Sequence, residues 1–568
     1  MSRSDELPIV ASAATAATAV PRAADLAGAP RAAASRGDVL ITVVTLALWA
    51  GLIAAAVAGL VAATGTSNWL AMIVIVLVGA LIGTLWLGGF RTIGILAAYP
   101  FVARRERAAR AAREIDAEAL AVASVSAERP RRQAHVALLY CTANDFDAGA
   151  LTASMRQTHP GVSTVILDDS SDAAVRREID AFARATGAQV VRRVERTGYK
   201  AGNLNHFFAT RPGYDAYVIL DSDEVIQPDF VERSLARLAE ESKTRAVGVV
   251  QGRHLANRGR SRFADEFGQM FETHVRVTQL VRARHGFSFF MGRGALITAE
   301  CVEAVGGFPE MVMEDLAFSL EVQRAGFDIV YAPELVSAED YPVDYHAFKK
   351  QHGKFVEGAT EFVGRYSSTI LRSELSAVKK IDLLLETVMA PAGAAFALVL
   401  FLAGLLPLGP DGGAVLPSWM GATLAICGVA PLLGEVLRRI GTGRPVAAIV
   451  FLGRALALFA SVLWVTIRSS ARVAFGARAV FAVTPKRRSA KGWRATAAIE
   501  AGVAVVAIAL ALLLVQSFAP AVVFVGCAGA AWYLTAFSGR DRSVGAFTSV
   551  DELVGTRPIA SPVALQAV

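Results

Sequence analysis

Asp221 and Asp223 stand one residue apart at the end of the apolar run Tyr217-Val218-Ile219-Leu220. A run of Val, Ile and Leu without alternation suits a strand buried on both faces of a parallel sheet. Ligands of open α/β sheets bind at the carboxyl ends of such strands, which places both carboxylates at the mouth of a site. Two hard oxygen donors with one spacer suit Mg²⁺ or Mn²⁺, joining carboxylates to substrate phosphates. Plain turn chemistry produces the same spacing.

Four further stretches fit around that pair. Asp168-Asp169 follows the apolar run 162–167; a carboxylate there could accept hydrogen bonds from a nucleobase or ribose, or cap the helix expected over 172–186. Lys200-Ala201-Gly202-Asn203-Leu204-Asn205 sets a lysine among small residues, where it can approach a diphosphate as a point charge or stand solvated before a helix. Glu314-Asp315 lies between Gly306-Gly307-Phe308 and the helical run 316–324. One of these acids could be a general base; acids at a helix start also simply favour the dipole. In Gln351-His352-Gly353-Lys354-Phe355, positions 351, 354 and 355 share a helix face, bringing an amide, a cation and an aromatic together, or docking an amphipathic helix at a membrane.

The elements that must position these residues alternate. Strands are expected at 136–141, 162–167, 189–194, 217–220 and 246–251, with helical patterns between them, so the sheet should be mostly parallel and covered by helices. This domain lies in a chain of 568 residues that is 54% hydrophobic, with mean hydropathy +0.44, too apolar for an ordinary soluble protein. Apolar stretches of span length occur at 39–63, 69–90 and 387–408; 419–434 continues apolar past Glu435, and the charge-free run 501–539 holds Pro520 near its middle. Residues 91–386 contain none. The four cysteines are scattered and the histidines do not cluster, so neither a disulfide framework nor a zinc site is expected.

Arginines 91, 104, 105, 107, 110 and 113 follow the second span and mark its cytoplasmic side. The run 446–467 contains Arg454 and is flanked by basic residues at both ends, so a helix lying in the interface suits it better than a span; an ordinary seventh span is the alternative. The expected layout is a disordered tail (1–38), two spans (39–98), a linker helix (99–134), the catalytic domain (135–345), interfacial helices (346–386), two spans (387–438), an interfacial helix and loop (439–496), two more spans (497–539) and a tail (540–568). Both termini and the domain would be cytoplasmic, in a cell (inner or plasma) membrane.

From about Val136 to Lys486 the chain resembles the membrane-integrated family 2 glycosyltransferases, the group of bacterial cellulose, hyaluronan and poly-N-acetylglucosamine synthases. The ordered motifs Asp-Asp, Lys-Ala-Gly-x-Leu-Asn, Asp-x-Asp, Glu-Asp and Gln-x-x-Arg-Trp match residues 168–169, 200–205, 221–223, 314–315 and 351–355, and Phe481-Ala482-Val483-Thr484-Pro485-Lys486 is similar to that family's gating loop. The resemblance implies an α/β fold with a GT-A (Rossmann-like) domain inserted between about six spans. It also implies roles. Asp169, with Asp168 beside it, contacts the nucleotide; Lys200, Gln351 and Lys354 hold the diphosphate; Asp221 helps hold the nucleotide and Asp223 the metal. Asp315, next to Glu314, is the catalytic base, Phe355 stacks on the acceptor sugar, and Thr484 closes over the nucleotide.

The implied activity is metal-dependent, inverting, processive transfer from a nucleotide-sugar, a UDP-sugar by resemblance, to a growing polysaccharide exported through the chain's own spans. A lipid or polyprenyl-phosphate acceptor taking a single sugar is the alternative, and a transporter or scaffold that only binds nucleotide is a rival of another class. Partners would be membrane lipids and export or accessory subunits, with no nucleic acid. The chain departs from the pattern at Lys354-Phe355, because Lys lacks the bidentate fork of Arg, at Ala143, which removes a stacking aromatic, and at Met291-Gly292-Arg293-Gly294 near the acceptor. No Arg-x-x-x-Arg with a β-rich regulatory domain follows residue 540, so cyclic-di-GMP control is not expected within the chain.

Overall fold

The computed structural model describes residues 36–64, 69–124, 133–406, 418–481 and 495–539. Eight strands, β1 (Val136–Thr142), β2 (Val162–Asp168), β3 (Gln189–Val191), β4 (Ala216–Asp221), β5 (Val225–Ile226), β6 (Val247–Ala256), β7 (Ala295–Thr298) and β8 (Asp328–Glu339), make one sheet in the order β3-β2-β1-β4-β7-β6-β8-β5. The strands β1 to β4 run parallel. The sheet becomes mixed at β7, which runs against both β4 and β6.

The absence of alternation in β1 and β4 has a direct cause. Val136, Leu138, Tyr140, Val218 and Leu220 enter one hydrophobic core, while Ala137, Leu139, Tyr217 and Ile219 enter the other, on the opposite face. Both faces are covered, so every position is apolar. β8 pairs in parallel with β6 with two register shifts, one between Val247 and Val249 and one where Gly252 faces Ala332 and Arg253 faces Val336. Residues 333–335 are bulged out there, which accommodates Pro333, a residue that cannot serve a regular ladder.

The chain opens with α1 (Arg36–Thr64) and α2 (Trp69–Ser124). Within the sheet domain come α3 (Ala148–Ser154), α4 (Ala173–Thr186), α5 (Tyr199–Thr210), α6 (Phe230–Glu241), α7 (Arg262–His285), α8 (Ala299–Val305) and α9 (Glu314–Arg324). After it follow α10 (Tyr345–Arg372), α11 (Ala377–Gly404), α12 (Ser418–Gly441), α13 (Pro445–Ser461), α14 (Leu463–Ala474), α15 (Ala495–Val515) and α16 (Val522–Gly539), with a short 3-10 turn at Ala519–Ala521 that holds Pro520. The ends carry ordinary capping chemistry: Asp172 accepts the Ala174 N–H at the start of α4, and Asp344 accepts the Ala347 N–H at the start of α10. The expected span at 69–90 and the linker helix after it are one helix, α2, which continues through Pro100; the Ala- and Arg-rich sequence beyond is strongly helix-forming.

Seven runs of described residues are long and apolar enough to cross a membrane, judged by length and composition. Six coincide with the stretches expected to span. The seventh, Pro445–Ala474, bends at Val462 into α13 and α14. Its Arg454 is not isolated in an apolar surround: it reaches Glu266 of α7 at 3.3 Å and lies 4.9 Å from the centre of the Phe537 ring.

A buried charge cluster fastens the apolar helices to the sheet domain. Arg91 of α2 and Arg282 of α7 grip Asp382 and Glu386 of α11 through contacts of 2.5, 2.6, 2.9 and 3.0 Å. Asp382 also accepts the Phe287 N–H at 2.7 Å. Removing one partner would strand a buried charge, which costs ~3–5 kcal/mol. The cluster therefore fixes the loop 286–294, which leads directly into the candidate site.

Candidate active site

The carboxyl ends of β1, β2 and β4 open into a cavity of about 400 Å³. It gathers Asp169, Lys200, Asp221, Asp223, Gln351, Lys354 and Phe355, which lie far apart in the sequence. Asp168, Glu314 and Asp315 are not in its lining, and Thr484 lies outside the described residues.

Asp168 is turned into the protein. It takes Arg192 at 2.6 Å and the Ser170 N–H at 2.8 Å, so it braces the turn after β2. Asp169 faces the cavity, with the guanidinium of Arg193 forked across both its oxygens at 3.0 and 2.6 Å. The cap of α4 is Asp172, neither of these two. Asp145 stiffens the β1 side by accepting from Thr142, the Ala143 N–H and the Ser222 hydroxyl.

The centre of the site is a line of alternating charge. Lys200 donates to Asp221 at 2.5 Å and to the Gly292 carbonyl at 2.8 Å. Asp221 also faces Arg293 at 3.7 Å, and Arg293 pairs with Glu339 at the end of β8. Behind them His254 stands 3.4 Å from Glu339 and 4.0 Å from Glu224. Burial disfavours the Lys200 cation, but Asp221 overrides it and holds its pKa above the ordinary value. Glu339 is buried too, yet Arg293 and His254 pull it down to about 2. Glu224, fully enclosed, is pushed up to about 7 by burial despite His254 and Arg293. Gly294, at φ 58°, permits this packing: a β-carbon there would lie 2.6 Å from both the Glu224 carboxylate and the Ser337 hydroxyl.

Glu314 and Asp315 start α9 beside this line. A β-carbon on Gly292 would stand 3.5 Å from the Asp315 carboxylate, and Gly292 is the residue whose carbonyl receives Lys200. Burial raises both acids. Glu314 is pushed up to about 8 by burial and then by its neighbour Asp315. Asp315 is raised less firmly, because the Leu316 N–H, Arg293 and Lys200 favour its charged form. Two adjacent carboxyls, both raised and held to different extents, are an arrangement suited to proton transfer.

The far wall comes from α10. Lys354 lies 4.3 Å from the centre of the Phe481 ring and 5.2 Å from that of Phe355. The Tyr199 ring lies 5.5 Å from that of Phe481. Burial lowers the Lys354 pKa, with Asp221 and Glu314 opposing. Phe355 is 47% exposed and presents a flat apolar ring at the cavity edge. Such a face can stack on a sugar ring or base.

Asp223, Asp221 and Asp340 supply hard oxygens around the cavity, and Asp223 also accepts the Asp340 N–H at 3.1 Å. Among the described residues no three acidic, His or Cys side chains form a ready cation cage. The donors fit an ion that takes one or two protein carboxylates and completes its shell with substrate oxygens, as Mg²⁺ does. Asp221 is engaged by Lys200 and Arg293, and Asp223 also lies in the field of Arg293.

Several lining residues escaped sequence reasoning. Glu339 ends, and Asp340 follows, a strand containing Pro333, and Tyr199 precedes the lysine motif. Arg293 was visible only as a departure from a pattern. The available signals were the glycines around Arg293 and Gly198 before Tyr199. Gly292, Gly294 and Gly198 all have positive φ, and so does Tyr199 itself, at 52°.

Residues 147–358 match the family described as Glycosyltransferase like family 2. Two similar proteins of Arabidopsis thaliana are a probable glucomannan 4-beta-mannosyltransferase 1, 25% identical over 218 residues (36% of this chain, 38% of the relative), and a probable glucomannan 4-beta-mannosyltransferase 15, 23% identical over 239 residues (40% and 44%). The matched part thus spans less than half the length of either relative. Among solved structures, S. aureus TarS 1-349 in complex with UDP matches at 13% identity and TM-score 0.33, covering 62% of this chain and 95% of that one. S. aureus TarS matches at 12% identity and TM-score 0.32, covering 52% of each.

Proposed function

Since residues 147–358 are a family 2 glycosyltransferase domain, we propose that the chain transfers a sugar from a UDP-sugar to a hydroxyl of a growing polysaccharide, in one inverting displacement. The observation that carries this reading is the convergence of Lys200, Arg293, Lys354 and the Asp221/Asp223 pair on one cavity at the strand ends, with a raised carboxyl pair alongside. Cations that now rest against Asp221 and two aromatic rings are placed to receive a diphosphate. Arg293, whose guanidinium rests on Glu339, adds fixed positive charge behind it, and Lys200 and Lys354 offer point charges. Asp169 takes the nucleoside end, where Tyr199 and Phe481 offer ring faces, and Phe355 supports the acceptor.

In the displacement, Asp315 accepts the proton of the acceptor hydroxyl as that oxygen bonds to the anomeric carbon. The bond from that carbon to the diphosphate oxygen breaks, and its electron pair leaves with UDP. A Mg²⁺ or Mn²⁺ at Asp223 would supply charge neutralisation on the leaving diphosphate. Support for a polymer product comes from α10. The helix that carries Phe355 also packs along α14, through His352 to Thr466 at 2.9 Å and Glu357 to Arg472 at 2.6 Å, so the acceptor edge of the site adjoins the apolar helices.

The test is incubation of the purified full chain with a panel of UDP-sugars and either cation, reading UDP release and product length early in the reaction. UDP release with long products supports the proposal. A single-sugar lipid as sole product would favour the lipid acceptor, and no UDP release from any donor would leave a nucleotide-binding scaffold.

A further inference from the structure

We propose that a second pocket, at the corner between α12 and α13, binds the phosphate of an anionic phospholipid. It does not depend on the catalytic reading. The pocket holds about 310 Å³ and is lined by Arg262, Asp265 and Glu266 of α7 together with Arg438, Arg439 and Arg444.

Its position is set by the ends of apolar helices. α12 finishes at Gly441 and α13 begins at Pro445. Phe537, in the last turn of α16, lies under the guanidinium groups of Arg262 at 5.1 Å and Arg454 at 4.9 Å. Candidate spans therefore end together at this pocket, at the depth where a bilayer changes from hydrocarbon to headgroups.

Its charge is positive, and its acids are already engaged. Glu266 takes Arg439 at 3.2 Å and Arg454 at 3.3 Å, and Asp265 accepts the Gly259 N–H at 2.8 Å. Beneath the lining, buried Glu435 holds Arg438 and Arg439 at 2.6 and 2.8 Å. Arg444 stands exposed at the corner. Guanidinium forks match phosphate geometry better than ammonium groups do.

The surroundings distinguish a lipid from a free anion. Leu437 and Ile440 of α12 and Val446, Ile449 and Val450 of α13 are between 44 and 73% exposed. An acyl chain would cover this apolar surface, while a soluble phosphate would leave it bare. Basic pockets between helix ends on the cytoplasmic side are the expected seats of acidic headgroups.

The experiment uses the full chain, delipidated in neutral detergent, titrated with phosphatidylglycerol or phosphatidylcholine and followed by native mass spectrometry, with inorganic phosphate as competitor. Phosphatidylglycerol should be retained preferentially. Arg444→Gln should weaken it about fivefold, and Arg262→Gln with Arg444→Gln about 25-fold, following the usual contribution of a cation at an anionic surface. Arg438 and Arg439 are left intact because they hold Glu435. Should the double variant not fold, the exposed single variant Arg444→Gln carries the test. Equal retention of the two lipids, or unchanged retention in the variants, would overturn the proposal. So would displacement by millimolar inorganic phosphate, which would mark a free-anion site.

Discussion

Asp315 and Glu314 share one environment and differ in what steadies their charge. Burial lifts Glu314 to about 8, so it carries its proton at neutral pH, whereas the Leu316 N–H, Arg293 and Lys200 favour ionised Asp315. A base must be deprotonated to act. Turnover should therefore rise with pH through an Asp315 pKa that lies above the ordinary aspartate range, and fall as pH drops through it. Asp315→Asn should flatten that limb and lower kcat ~10²–10⁴-fold with UDP affinity little changed; a variant that lost affinity and kept its kcat would make Asp315 a binding group. The metal pair should divide unequally. With Asp223 as the proposed metal ligand and Asp221 paired with Lys200, Asp223→Ala should abolish sugar transfer while Asp221→Ala is less severe. Transfer by Asp223→Ala that continues in the presence of chelator would remove Asp223 as a ligand. These acids and Lys200 could be read from the sequence because each lies in a short local pattern. The Arg293–Glu339–His254–Glu224 line could not, since its members meet only after β4, β6, β7 and β8 pair.

At the scale of elements, strands filling two cores were legible because burial on both faces leaves an unbroken apolar run. β7, only four residues long, and β8, interrupted by Pro333, lack that signature; tertiary pairing and a bulge make them strands. What the sequence could not convey is how α10 seats against the rest. Gly358 lets it approach the loop before α9: a β-carbon there would lie 2.8 Å from Met313 and 3.1 Å from Val312. Gly358→Ala should therefore push the helix carrying Gln351, Lys354 and Phe355 away from Asp315, at a packing cost of ~1–3 kcal/mol. Donor KM should rise and kcat fall together. Gly364, on the same helix, has open space around it, so Gly364→Ala should leave both constants unchanged and slightly stabilise the helix. Equal effects of the two substitutions would show that helix propensity, not seating, is at work.

For the whole molecule, the decisive segment is the seventh apolar run. Its thirty residues would extend about 45 Å if straight, long enough to cross, yet it is tied to α7 and α12 near its start and to α10 from its bend to its end. Near its start, Arg454 pairs with Glu266 of α7, and the Ala447 carbonyl accepts from Arg439, which also holds Glu266. At the bend, the Ser461 carbonyl accepts the Tyr345 hydroxyl of α10 at 3.2 Å. Near its end, Thr466 meets His352 and Arg472 meets Glu357, both also on α10. Tyr345 and Glu357 are separated by about 18 Å of helix, so α14 runs alongside α10 over its whole length. The remaining apolar helices pair off between these anchors: α11 leaves from the Arg91–Arg282 cluster and α12 returns to Glu266 through Arg439; α15 leaves from Lys349, which holds Glu500 at 2.6 Å, and α16 returns to Arg262. An even number of crossings follows if the bent run lies along the surface. Reporter domains inserted after Gly443 and after Gly476, exposed turns with φ of 75° and 95°, should then both signal the cytoplasm, the side that the flanking arginines favour. Opposite signals from the two insertions would mean that α13 and α14 together cross the bilayer.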